Sequence, residues 1–105
     1  MPDSSVLKGQ PLVDADGETV GRIDDVYVDP GSGRAEFLEV RTSRFRRKRH
    51  LVPLTRINVA GGAVTVPYPR EKIVEAPLRP RRELTADDEA LLRDYWHLPA
   101  VKNRP

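Results

Sequence analysis

Short apolar runs that alternate with polar residues predict β-strands over the first two thirds of the chain. The dipeptide Asp16-Gly17 marks a tight turn between the first two runs. Residues 29–33 form a second turn, since they consist of aspartate, proline, glycine and serine. The runs that predict strands lie at 11–14, 18–29, 35–42, 51–54, 55–59 and 64–68. A mainly β fold follows from this pattern.

The second run does not keep a strict two-residue alternation. Ile23 and Val26 are both apolar but would face opposite sides of a regular strand, and Asp24-Asp25 lies between them. One extra residue inserted at this pair would bring both apolar side chains to the same face. We therefore predict a β-bulge or bend at Asp24-Asp25, as a closing barrel requires.

Two further features concern the edges and faces of the predicted sheet. Pro53 and Pro67 lack the N–H that a strand ladder needs, which predicts edge strands or corners at these positions. The third strand is apolar on both sides, with Phe37 on one side and Leu38 and Val40 on the other. We expect the core to cover one side and a loop or a partner to cover the other.

The last third of the chain has helical patterns. A single helical turn fits residues 70–75, and Thr85 is the expected N-cap of a longer helix because carboxylates follow it in the first turn. An apolar face that packs on the strands, in preference to a partner's groove, is predicted from Leu91, Leu92, Tyr95 and Trp96. The predicted boundaries are 1–77 for the strand-rich domain, 78–83 for a Pro/Arg linker, 84–98 for the helix and 99–105 for a tail.

Composition narrows the class of protein. A chain of 105 residues fits one domain. It has no cysteine and two histidines, which excludes disulfides and thiolate ligands and argues against a metal site. No nucleophile has a base beside it in the sequence and no glycine-rich phosphate loop is present, so we expect neither catalysis nor a cofactor. With no apolar run long enough for a membrane span or a signal peptide, we expect a cytoplasmic protein.

Two acidic stretches resemble ligand or catalytic sites. Residues 14–18 carry alternating carboxylates like a calcium loop, but the twelve-residue spacing with its final glutamate is missing, and a hairpin turn explains them better. Neighbouring strand residues point to opposite faces, so Asp24 and Asp25 do not readily share a site. We expect these two carboxylates and Asp29 to accept hydrogen bonds at the bend or to pair with Arg22.

Charge is distributed unevenly along the chain, although the net charge is only +2. Residues 1–39 hold three basic and nine acidic side chains, 40–82 hold twelve and two, and 83–105 hold three and five. The middle of the chain is therefore a positive block on an otherwise acidic molecule. The two signs either neutralise each other across the fold or leave the block open to a partner.

The positive block is densest at residues 44–49, where five cations fall within six positions between two predicted strands. In such a hairpin loop the cations repel one another unless an anion relieves the repulsion. Arginine suits bidentate contacts to carboxylate or phosphate, whereas a solvated loop without a partner is the alternative. The candidate partner-binding residues are Arg41, Arg44, Phe45, Arg46, Arg47, Lys48, Arg49, His50 and Arg56.

Several stretches resemble the PRC-barrel domain family. They are Gly9-Gln10-Pro11-Leu12-Val13 with residues 16–29, similar to the opening of these domains, and Leu51-Val52-Pro53-Leu54 with Ile57, similar to a later strand pair. The resemblance covers about residues 6–77, and the helix at 84–98 resembles an appendage of stand-alone, actinobacterial-type members. It implies a small, strongly bent antiparallel β-barrel and a role in docking and assembly, with no common catalytic residues to carry over.

Three hypotheses on function remain open. A protein-docking or assembly module ranks first, including a homodimer that pairs an acidic face with the basic hairpin. Nucleic-acid binding, above all of RNA, through residues 44–49 ranks second, because the acidic surface elsewhere would repel a long polymer. Peripheral binding to an anionic membrane surface through the same loop ranks third, with Phe45 as an apolar wedge. No small-molecule substrate is inferred.

Overall fold

The computed structural model describes residues 6–42 and 48–98, which form a six-stranded sheet followed by two helices. The strands are β1 (Pro11–Val13), β2 (Thr19–Val28), β3 (Ala35–Thr42), β4 (His50–Pro53), β5 (Asn58–Ala60) and β6 (Ala63–Thr65), and the helices are α1 (Arg70–Val74) and α2 (Ala86–Tyr95). The order of strands in the sheet is β4-β3-β2-β1-β6-β5. The prediction of a mainly β fold with a C-terminal helix is confirmed.

One strand pair departs from the expected antiparallel arrangement. β1 pairs with β2 in the antiparallel sense along one edge and with β6 in the parallel sense along the other. The pairs β2–β3, β3–β4 and β5–β6 are antiparallel. The parallel pair arises because the chain forms four strands after β1 and then returns to the free edge of β1 in its original direction.

The predicted β-bulge lies in β2. Ile23 pairs with Val40 and Asp25 pairs with Glu39, so Asp24 is an extra residue without a partner on β3. A bulge increases the local twist of the sheet and re-aims a side chain. Asp24 thereby leaves the regular alternation, and its carboxylate reaches the arginines of the candidate site.

Of the two prolines that predict edge strands, only Pro53 lies on one. Pro53 ends β4, which is an edge strand, so that prediction is confirmed. β6 lies between β1 and β5 and ends at Thr65. The prediction of an edge strand at Pro67 is wrong, because the strand has already ended before the ladder would need an N–H from Pro67.

Both sides of β3 are buried, and this chain supplies the cover on each. Leu38 and Val40 lie in the core with no exposed surface. On the other side, Phe37 pairs across the strands with Tyr27. The guanidinium of Arg79, which belongs to the linker, lies 5.1 Å from the centre of the Tyr27 ring. Part of the second side is therefore covered by a loop of this chain, one of the two predicted alternatives.

The hydrophobic core joins the sheet to both helices. α1 begins after Pro69 and buries Ile73 completely, and α2 contributes Leu92 and Trp96. Among the described residues, no helix is long and apolar enough to cross a membrane. The most deeply buried hydrophobic side chains are Leu12, Ile23, Phe37, Leu38, Val40, Leu51, Val52, Val64, Val66, Ile73 and Leu92.

The start of α2 is built as the sequence predicts, but its apolar face is narrower. Thr85 and Asp88 form a capping box, in which each side chain accepts a hydrogen bond from the backbone N–H of the other. Leu92 and Trp96 are buried, whereas Leu91 is 66% exposed. The prediction that Leu91 shares the packed face is wrong, because neighbouring helical residues are separated by about 100° and the face is centred on Leu92 and Trp96.

Replacing Thr85 with alanine is expected to lower the free energy of unfolding by about 1 kcal/mol, since an N–H at the start of α2 loses its acceptor. Arg82 and the N–H of Thr85 hold the pKa of Asp88 well below its usual range. The carboxylate's contribution is therefore present at neutral pH and is lost as the pH falls below about 4. Urea denaturation at pH 7 and pH 3 measures both effects. The exposed Thr55 is the control, and an equal loss in Thr55→Ala would contradict the capping role.

Candidate protein-interaction surface

The linker between the helices runs along the outer edge of β4. The N–H of Leu51 donates to the carbonyl oxygen of Pro77 at 3.0 Å, and the N–H of Arg79 donates to the carbonyl oxygen of Arg49 at 2.8 Å. Between these two bonds, Leu78 forms an antiparallel bridge with the first residue of β4. Backbone pairing thus fixes the linker beside the strand that follows the basic run.

Two carboxylates hold three arginines next to this edge. The Asp24 carboxylate, on the bulge, accepts from Nε of Arg41 and from Nε of Arg49, each at 2.9 Å. The Glu39 carboxylate accepts from Nη1 of Arg49 at 3.3 Å and from Nε of Arg79 at 3.2 Å. Hydrogen bonding to Asp24 raises the pKa of the Arg49 guanidinium. Part of the positive block is therefore neutralised within the fold, and these arginines are fixed in position.

A groove of about 550 Å³ opens between the two residues that precede β4 and the linker. Its lining, named here the basic groove, is Lys48, Arg49, Leu78, Arg79, Pro80 and Arg81. Lys48 and Arg81 are exposed, and neither forms an ion pair within residues 6–42 and 48–98. The basic groove thus combines two guanidinium groups held by carboxylates with two cations that are open to a partner.

The structure brings together three of the predicted partner-binding residues. Arg41 and Arg49 bind Asp24, and Lys48 lines the basic groove. The connection between β3 and β4 is the hairpin position predicted for the basic run. Four of the predicted residues on it lie outside the described residues, namely Arg44, Phe45, Arg46 and Arg47.

Two other predicted residues lie away from this surface. His50 is 1% exposed, and its Nδ1 lies 2.9 Å from the carbonyl oxygen of Ala76, so it belongs to the interior. Arg56 lies in the turn after β4, beyond the end of the strand opposite to Lys48. The course of β4 explains both positions. Its first residue, His50, is buried beside the linker, and the strand then leads away from the hairpin to Arg56.

Sequence reasoning missed the contribution of the linker. Arg79 and Arg81 line the basic groove, although residues 78–83 were expected only to connect two elements. The signal was present as three arginines within 79–82, but the pairing of the linker with β4 cannot be read from local sequence. Of the two roles expected for Asp24, it accepts hydrogen bonds at the bend, and Arg22 donates to the carbonyl oxygen of Gly9 instead.

Asp14 and Asp29 serve turns, whereas the Asp25 carboxylate accepts from the N–H of Val26 at 2.8 Å. The Asp14 carboxylate accepts from the N–H groups of Asp16 and Glu18, each at 2.9 Å, as a turn requires. The Asp29 carboxylate accepts from the N–H of Ser32 at 2.9 Å. In the part of the chain that the structure describes, no group of three or more histidine, aspartate or glutamate side chains is placed to hold a metal ion.

Fold and surface together define a small, mainly β binding domain with a charged groove at the edge of its sheet. The family model of the PRC-barrel domain matches residues 3–73. The chain belongs to the PRC-barrel domain family, a family of protein-interaction modules. No curated protein matches the chain. All six strands lie within the matched range, whereas the linker and α2 lie beyond it.

Proposed function

We propose that this chain is a non-catalytic, cytoplasmic docking module that binds an acidic surface of a protein partner through the basic groove. The observation that carries the proposal is the combination of held and open cations in one groove. Arg49 and Arg79 are already oriented by carboxylates, so little side-chain freedom is lost when a partner's carboxylate arrives. Lys48 and Arg81 are open to form the new ion pairs.

The roles of the carboxylates favour binding over catalysis. Asp24 and Glu39 accept hydrogen bonds from arginines, and Asp14 and Asp29 accept them from backbone N–H groups. A carboxylate that acts as general acid or base needs a proton to exchange with a substrate. Carboxylates that are engaged by permanent donors stabilise structure instead.

The geometry favours a protein over a nucleic acid or an anionic membrane. A phosphate backbone or a lipid surface presents closely spaced negative charges, which need an uninterrupted track of cations. Asp24 and Glu39 lie among the arginines and interrupt such a track. A folded partner can place individual carboxylates opposite Lys48 and Arg81 and leave the two acidic positions uncontacted.

The double variant Lys48→Glu/Arg81→Glu is expected to weaken binding of a fluorescein-labelled octaglutamate peptide about tenfold or more. Two attractive contacts, each contributing about 0.2–1 kcal/mol at an exposed site, are replaced by repulsive ones. Fluorescence anisotropy at low ionic strength measures the dissociation constant. Binding to the wild type should also weaken as salt is added.

The matched control is Arg34→Glu/Arg56→Glu, which changes the net charge equally but acts on exposed arginines at the opposite end of β3 and β4. The affinity of this control for octaglutamate should stay within about twofold of that of the wild type. Equal weakening in both variants would show a net-charge effect and contradict the groove. Tighter binding to an octauridine RNA, or to vesicles containing anionic lipid, would replace the proposal with one of the other two classes.

A further inference from the structure

A second charged surface adjoins the basic groove and shares Arg79 with it. It is a notch of about 260 Å³, named here the acidic notch, lined by Asp25, Val26, Tyr27, Val28, Pro30, Glu39, Arg79 and Glu83. Three carboxylates stand against one guanidinium in this lining. Arg79 lines both surfaces, so the groove and the notch are neighbours of opposite sign.

The charges of the acidic notch are only partly neutralised within the fold. Asp25 binds Lys8 at 3.1 Å, and Glu39 binds Arg79 at 3.2 Å and Arg49 at 3.3 Å. Glu83 is exposed and forms no ion pair within the described ranges. Burial raises the pKa of Tyr27, and Glu89, Asp29 and, least, Glu83 raise it further, whereas Arg79 lowers it. Within its lining, three carboxylates therefore stand beside one guanidinium, and Glu83 is the carboxylate open to a partner.

Both surfaces also contain apolar side chains, which would be removed from water if the two surfaces packed together. Val28 is 44% exposed at the rim of the notch, next to Pro30. Leu78 and Pro80 are half-buried in the basic groove. A polar rim around an apolar centre is the usual arrangement of a protein interface.

We propose that the acidic partner of the basic groove is the acidic notch of a second copy of this chain, in a two-fold symmetric dimer. A two-fold axis near Arg79 places each groove on the partner's notch, so the same contact forms twice and the assembly closes. Lys48 and Arg81 of one copy then face Glu83 of the other, and Leu78 and Pro80 cover Val28 and Pro30. This inference rests on the proposed function, since it names the occupant of the same groove.

Charge exchange between the two surfaces tests the dimer. The groove variant is Lys48→Glu/Arg81→Glu and the notch variant is Val28→Lys/Glu83→Lys, all at exposed positions. Sedimentation equilibrium should show a wild-type dimer whose dissociation constant rises at least tenfold between 50 mM and 500 mM salt. Each variant alone should be monomeric where the wild type is dimeric. An equimolar mixture of the two should form a heterodimer, because both contacts regain opposite charges.

Other outcomes would overturn the dimer while leaving the proposed function separately testable. A wild type that is monomeric at both salt concentrations, or variants that do not associate when mixed, contradicts it. Circular dichroism of each variant, matched to the wild type, ensures that loss of association is not loss of folding. If the monomeric wild type still binds octaglutamate through Lys48 and Arg81, the groove has a different protein partner. If the wild type binds neither octaglutamate nor a second copy of itself, both proposals fail.

Discussion

Replacing Trp96 with alanine is expected to lower the free energy of unfolding by about 4 kcal/mol. The Trp96 side chain is 4% exposed, its ring centre lies 4.6 Å from that of Tyr68 and 5.1 Å from that of Tyr95, and Nε1 donates to the carbonyl oxygen of Leu51 at 3.0 Å. The variant leaves a large cavity between α2 and the sheet and strips a buried carbonyl of its donor. A domain of this size is stable by only about 5–15 kcal/mol, so the loss is a large share of the total.

Urea denaturation followed by circular dichroism measures this loss without relying on the fluorescence of the missing tryptophan. Trp96→Phe should lose about half as much, because the ring packing is mostly kept and only the N–H and some volume are removed. Leu91→Ala is the control on the same helix, and its free energy of unfolding should stay within about 0.5 kcal/mol of the wild type. A loss below about 1 kcal/mol in Trp96→Ala would mean that α2 does not contribute to the core.

The extension beyond the family-matched residues is part of both the fold and the candidate site. Trp96 closes the core, and Arg79 pairs with Glu39 and covers Tyr27, yet both residues follow the matched range 3–73. The linker supplies four of the six residues that line the basic groove. The groove is therefore a property of this chain with its extension, and its partner cannot be inferred from the six-stranded sheet alone.

The sequence was sufficient where the deciding forces are local. The bulge at Asp24 follows from a break in two-residue alternation, and the cap at Thr85 follows from the residues of a single helical turn. The helical turn after Pro69 follows from equally local rules. The strand β3 was predicted with its observed limits, because eight consecutive residues fit one pattern between two turns.

The sequence was insufficient where distant segments meet. The parallel pairing of β1 with β6 and the pairing of the linker with β4 depend on which free edges the chain reaches last. The ion pairs of Asp24 follow from that assembly, since Arg49 lies 25 residues away along the chain. The charge pattern suggested neutralisation across the fold, but only the assembled sheet determines which cations stay open.

Replacing Gly21 with alanine is expected to lower the free energy of unfolding by about 3 kcal/mol. Gly21 lies in β2 between its partners Leu12 on β1 and Thr42 on β3. A Cβ atom at this position would lie 2.3 Å from the carbonyl oxygen of Arg41, which is backbone and cannot turn aside as a side chain would. The methyl group must therefore push β2 and β3 apart where the sheet is paired on both sides, next to the arginine that binds Asp24.

Gly33→Ala separates this steric effect from the general cost of replacing a glycine. Gly33 has φ of +72° and nothing within 4 Å of an added Cβ, so alanine there meets conformational strain but no clash. Its loss should be about 1 kcal/mol, on the scale of one residue held in the left-handed region. Urea denaturation of both variants compares the two costs directly. A loss in Gly21→Ala no greater than in Gly33→Ala would mean that β2 and β3 can separate freely, and the close approach at Arg41 would then not hold the ionic network in place.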